Sequence, residues 1–125
     1  MCGKGDRPEQ FRVRLAGVAV DGENCVLAVG DREVKRFTRE GRLDTTFAMP
    51  DAGSTIAADG ESFWVGMQGR ISHFDRQGKL LNTIDDPSRL GLLSGLVAKG
   101  GTLIAADATH RTIHLYQDGI WQREI

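Results

Sequence analysis

The chain has 125 residues, sixteen Lys and Arg against seventeen Asp and Glu, a formal net charge of −1, 40% apolar and 26% charged residues. That balance suits one soluble domain and excludes a disordered or a fibrous chain. Both signs of charge are scattered along the length and aromatics are only 6%, which argues against nucleic-acid binding through a basic face or stacking platforms. No run approaches the roughly 18 apolar residues of a membrane span.

Residues 1–9 read as a flexible N-terminal segment. Its start, Met1-Cys2-Gly3-Lys4-Gly5-Asp6, is similar to the beginning of a mature bacterial lipoprotein; the cell envelope is the compartment that this implies, with the cytoplasm as the alternative. Gln10 to Leu15 alternates apolar and polar residues and is expected to form a strand. Cys2 and Cys25 are too few and too far apart for a disulfide framework or a metal knuckle, and Cys25 reads as a buried small hydrophobe.

Three similar segments follow. The first runs Gly17 to Gly22, Cys25 to Gly30, Glu33 to Phe37 and Leu43 to Ala48. The second runs Ser54 to Gly60, Ser62 to Gly66, Arg70 to Asp75 and Leu80 to Ile84. The third runs Gly95 to Gly100, Thr102 to Asp107, Arg111 to Tyr116 and Ile120 to Ile125. Gly22 to Gly60 is 38 residues and Gly60 to Gly100 is 40. Short apolar runs separated by Asp-Gly, Gly-Gly and Gln-Gly signals read as strands, and only Pro87 to Leu93 leaves room for a helical turn. The first two strands of each repeat are apolar enough for both faces to be covered. The third mixes polar and apolar residues, as an outer strand can, so His73 and His114 are expected to be partly exposed there. Four antiparallel strands per repeat of about 40 residues make a β-propeller blade.

The expected fold is therefore an all-β propeller fragment of about three four-stranded blades, over 16–50, 53–86 and 94–125. The strand at 10–15 would be the outer strand of a closing blade. Three blades do not close a ring that takes roughly four to eight, so the expectation is a fragment of a longer propeller, or half of a six-bladed ring completed by a homodimer.

The apolar strand ending Ala57-Ala58-Asp59-Gly60, the run Arg70-Ile71-Ser72-His73-Phe74-Asp75 followed by Gly78-Lys79-Leu80, and Ala105-Ala106-Asp107 followed by His110-Arg111 and Ile113 resemble the NHL-repeat family. The resemblance implies a propeller fold, with His110 and Arg111 tying neighbouring blades, while polar loop residues without a catalytic constellation point to a non-catalytic interaction or scaffold module. The first repeat departs from the pattern, with Gly30 where the strand-ending Asp would fall.

Asp107, ending a strand before a tight loop, is expected to accept backbone hydrogen bonds there. No second His or carboxylate stands at a chelating spacing from His73 or His114. The residues leading into the innermost strands, Ala16-Gly17, Gly53-Ser54-Thr55 and Ser94-Gly95, offer no carboxylate or amide, and Asp51 alone would not satisfy a hard cation. Ser54, Ser62 and Ser94 lack a nucleophile motif. Asp85-Asp86 before Pro87 reads as solvated turn chemistry. No catalytic residue, metal or cofactor is predicted. Candidate contacts to a protein or small-molecule partner, placed by loop position, are Asp31, Arg32, Gln68, His110 and Arg111. The alternative is part of a lactonase or hydrolase-type propeller whose metal ligands lie outside this chain.

Overall fold

The computed structural model describes residues 14–125. The segment 1–9, Cys2 and most of the expected strand over 10–15 lie outside the described residues; Arg14 and Leu15 precede the first strand and belong to none. Among the described residues the order is β1 (Gly17–Val20), β2 (Val26–Gly30), β3 (Glu33–Phe37), β4 (Leu43–Ala48), β5 (Thr55–Asp59), β6 (Ser62–Gly66), β7 (Arg70–Phe74), β8 (Leu80–Asp85), β9 (Leu93–Lys99), β10 (Thr102–Asp107), β11 (Thr112–Gln117) and β12 (Ile120–Glu124). They make three four-stranded antiparallel sheets, each strand paired only with its neighbour in sequence. No helix forms over Pro87 to Leu93; the amides of Arg89 and Leu90 return to the Asp86 carbonyl and close a turn there.

Tight hairpins set the registers. Gly30 pairs with Glu33 across Asp31 and Arg32, whose φ angles of 51° and 74° are those of the primed turns that suit the twist of paired strands. Gly100 and Gly101, at 58° and 86°, do the same between β9 and β10. Each sheet also has a bulge in its third-to-fourth strand pairing, between Arg36 and Phe37, His73 and Phe74, and Leu115 and Tyr116, a device that increases local twist.

The registers align the blades residue by residue. Gly17, Leu27, Val29 and Val34 of blade 1 occupy the positions of Thr55, Trp64, Gly66 and Ile71 of blade 2, and of Gly95, Ile104, Ala106 and Ile113 of blade 3. These form the forward face, turned toward the next blade. The rear face alternates with it: Val26, Ala28 and Phe37; Phe63, Val65 and Phe74; Leu103, Ala105 and Tyr116. Two apolar cores lie between successive blades. Leu27, Val29 and Val34 meet Ile56, Phe63, Val65 and Phe74 in one. Trp64, Ile71 and Ile84 meet Leu93, Leu103, Ala105 and Tyr116 in the other. Each fully covered Leu, Ile, Val or Phe contributes about 1.5–3 kcal/mol, so stacking of blades, more than pairing of strands, holds the fold.

Four expectations need correction. The inner strands of the first and third sheets are not covered on both faces among the described residues: Val18, at 63% exposure, and Val97, at 62%, are open to solvent. Cys25 is only half-buried, because it precedes β2 at the mouth of the turn. His114 is buried, not partly exposed, because it lies on the rear face between blades 2 and 3; its ring nitrogens meet Thr112 Oγ1 and Trp121 Nε1, each at 3.1 Å. The third strands are interior in large part: Val34 and Ile71 are fully buried, and so is Arg36, whose guanidinium donates to the Arg76 carbonyl of blade 2.

Candidate functional site

In an up-and-down sheet the turn between the second and third strands and the connection to the next blade fall at the same end. That end gathers the turn at Asp31 and Arg32, the turn at Gln68, the turn at His110 and Arg111, and the connections Met49 to Ser54 and Asp86 to Leu92. All five sequence-predicted contact residues therefore share one end of the stacked blades. Arg32, Gln68, His110 and Arg111 are exposed and Asp31 is half-buried.

Two aspartates organise this end. Asp107, almost fully buried, ends β10 and accepts the amides of Thr109 at 2.9 Å and His110 at 3.3 Å, as expected of a strand-ending Asp. Its other oxygen takes the Gly91 amide at 3.0 Å and meets His110 Nδ1 at 2.5 Å. Burial pushes this carboxyl up, but the bonds from His110 and from the amides of Gly91 and His110 prevail and hold it below its ordinary value. The loop that carries His110 and Arg111 is thus fastened to the connection from blade 2. Leu92 N donating to Thr109 Oγ1 at 2.9 Å adds to the seam.

Asp86 is the second anchor. It accepts from Ser88 Oγ at 3.1 Å, Arg89 at 2.8 Å and the Tyr116 hydroxyl at 3.3 Å. Burial raises its carboxyl, yet these donors leave it lowered, while burial and the neighbouring Asp86 charge push the Tyr116 phenol up. Arg89 in turn lies over the Trp121 ring, 4.1 Å from its centroid. Asp85-Asp86 is therefore more than solvated turn chemistry: Asp86 ties the connection to blade 3.

The remaining predicted residues sit in firmly placed turns. Asp31 accepts the Arg14 amide at 2.7 Å, and the Arg32 carbonyl accepts the Met49 amide at 2.8 Å. Gln68 makes an isolated bridge with Leu92. Sequence reasoning missed the ion pair of Arg70 with Asp51 at 2.6 Å, which adds a charged pair between the first and second turns. Nothing in the local patterns marks it, because the partners are 19 residues apart on different elements.

The end as a whole is a rigid rim of exposed cationic, amide and imidazole groups, suited to hydrogen bonds and ion pairs with a partner surface. Among the described residues no group of three His, Cys, Asp or Glu gathers as a metal site, and no helix is long and apolar enough to cross a membrane. The hydroxyls of Ser54 and Ser62 donate to the carbonyls of Gly66 and Asp59 and serve the fold.

Among solved structures, a chain of a nidogen/laminin complex superposes with a TM-score of 0.74 and 22% identity, over 88% of this chain and 47% of that one. Virginiamycin B lyase from Staphylococcus aureus gives 0.73 and 12%, over 91% and 41%. The WD40 β-propeller domain of Doa1 gives 0.73 and 17%, over 88% and 40%. The three sheets are β-propeller blades. The chain spans less than half the length of each of these propeller-like neighbours, and the identities carry the likeness to the fold alone. No family model and no curated protein matches the sequence.

Proposed function

We propose that the chain is a non-catalytic propeller module of NHL-like type that binds a protein or a small molecule through the rim built by its second-to-third-strand turns. The observation that carries this reading is the convergence of Asp31, Arg32, Gln68, His110 and Arg111 on one end of the blades, in turns whose backbones are pinned by Asp107, Asp86 and the Met49 amide. A pinned backbone with polar side chains projecting from it loses little entropy on binding. The degenerate repeat signature supports the NHL-like type, with Asp59-Gly60 and Asp107 at strand ends performing the turn-fastening that such a pattern needs.

The test is chemical cross-linking and mass spectrometry of partners captured by the wild-type chain and by a variant with all five residues changed to Ala. The variant is expected to lose partners that the wild type captures reproducibly. Identical partner sets, with both proteins folded by circular dichroism, would reject the rim as the binding surface.

A further inference from the structure

In each of the three rim turns one residue immediately precedes the third strand: Arg32 before β3, Gly69 before β7 and Arg111 before β11. All three have left-handed backbones, with φ of 74°, 75° and 58°. Glycine enters this region without a steric penalty, and Asn and Asp follow it because their short side chains hydrogen-bond locally. Among the described residues, five other than glycine have positive φ, and three of these, Asn24, Asp31 and Asp118, are of that tolerant kind. Arg32 and Arg111 are the remaining two. Gly69 makes the same turn position in blade 2, so the fold does not require arginine there. An unfavourable backbone carried at two equivalent turns points to a use for the side chains.

The charges at this end separate engaged groups from available ones. Arg70 is paired with Asp51, Arg89 with Asp86, His110 with Asp107 and Lys35 with Glu33. Arg32 and Arg111 are exposed, and neither guanidinium makes an ion pair among the described residues. The acids at this end that also lack an ion pair there, Asp85 and Glu124, stand on fourth strands, the outermost of their sheets. Blade 2 lies between the two arginines, since it packs on blade 1 by one face and on blade 3 by the other. At roughly 10 Å per stacked sheet the two turns stand on the order of 20 Å apart, too far for one small anion but a span of about six extended residues.

We propose that the partner of the rim is a protein that lays an extended acidic segment across blade 2, with carboxylates on Arg32 and Arg111. This rests on the rim reading above and narrows its partner from a protein or a small molecule to an acidic polypeptide. A guanidinium takes a carboxylate through two parallel N–H···O bonds, so an arginine at each side sets spacing as well as charge. Once one carboxylate is held, the second is presented at high local concentration, and two modest contacts become one firm one. A nucleic acid fits less well: two guanidiniums offer few phosphate contacts, and the three turns carry no Phe, Tyr or Trp on which a base could stack.

Fluorescence anisotropy of a labelled oligo-glutamate of about twelve residues, long enough to reach both turns, titrated with the full chain at low salt tests this. Arg32→Gly and Arg111→Gly give both turns the residue that blade 2 carries. Each is expected to weaken binding about tenfold or more, with a melting temperature equal to or above that of the wild type. Arg42→Gln removes an exposed charge in the β3–β4 turn at the opposite end and is expected to leave affinity near that of the wild type. No binding by the wild type, equal loss with Arg42→Gln, or loss with only one of the two glycine substitutions would overturn the bridging acidic segment. So would tighter, arginine-dependent binding of single-stranded oligo-thymidine, or a lowered melting temperature in both glycine variants, since the arginines would then serve nucleic acid or the fold. Failure of oligo-glutamate while the five-residue Ala variant still loses its captured partners would remove the acidic partner and keep the rim; failure of both would remove the rim as well.

Discussion

The carboxylate of Asp59, at the end of β5 in blade 2, accepts the amides of Gly100 at 3.0 Å and Gly101 at 3.3 Å in the β9–β10 turn of blade 3. One blade earlier the same junction is made by backbone: the Gly22 amide donates to the Gly60 carbonyl at 3.0 Å. The turns between first and second strands are thus clasped in series along the stack. Replacing Asp59 with Ala removes a charged acceptor from two donors, a loss of about 1–2 kcal/mol. The expected drop in melting temperature is about 3–8 °C, measured by thermal unfolding, with Glu61→Ala at the neighbouring exposed position unchanged. Equal melting temperatures for Asp59→Ala and wild type would show that the clasp contributes nothing.

Gly53 tests the packing of blades 1 and 2. A Cβ there would lie 2.6 Å from Val29 Cγ2 and 2.7 Å from Val65 Cγ1, and both valines are fully buried. Neither is a flexible side chain, so Gly53→Ala forces the seam apart and costs about 1–3 kcal/mol. Urea unfolding is expected to show a lower midpoint with an unchanged slope. A midpoint equal to that of the wild type would mean that the two blades do not approach as closely as described.

Asp107 predicts a pH dependence. Its folded pKa is lowered relative to the ordinary 3.8, so the unfolded chain binds this proton more readily than the folded one. The stabilisation it provides is present above pH 3.8 and is lost as the pH falls through the folded value. Asp107→Asn is expected to be less stable than wild type at pH 7, with the gap narrowing below about pH 4. Asp86, also lowered, leaves the variant with an acid limb of its own. A gap that stays constant from pH 7 to pH 2 would contradict the assignment.

Much of this architecture was legible from the chain. The fourth strands from Leu43, Leu80 and Ile120 start where the Gly turns placed them. Asp107 was legible because a strand-ending Asp before a loop has one common physical use. Other features were hidden because they depend on which blade covers which face. Period-two alternation separates the faces of a strand but does not say whether a neighbour is present, so Val18 and Val97 were read as interior. His114 was read as partly exposed by the same gap, since its partner Trp121 is reached only by folding β12 back onto β11. The rim was found by loop position, while the Arg70–Asp51 and Asp86–Tyr116 contacts that stiffen it join elements far apart in sequence.

The central claim is that three blades stack through their turns and faces, and amide exchange at Gly22 and Gly100 tests it most directly. Both amides lie in turns between first and second strands, and each is bonded across to a neighbouring blade, Gly22 to Gly60 O and Gly100 to Asp59. In the stacked fold both are expected to exchange at least about tenfold more slowly than in an unstructured peptide, with protection lost together on unfolding. Exchange of both at the unstructured rate, while the strands themselves stay protected, would mean that the sheets form without stacking as blades.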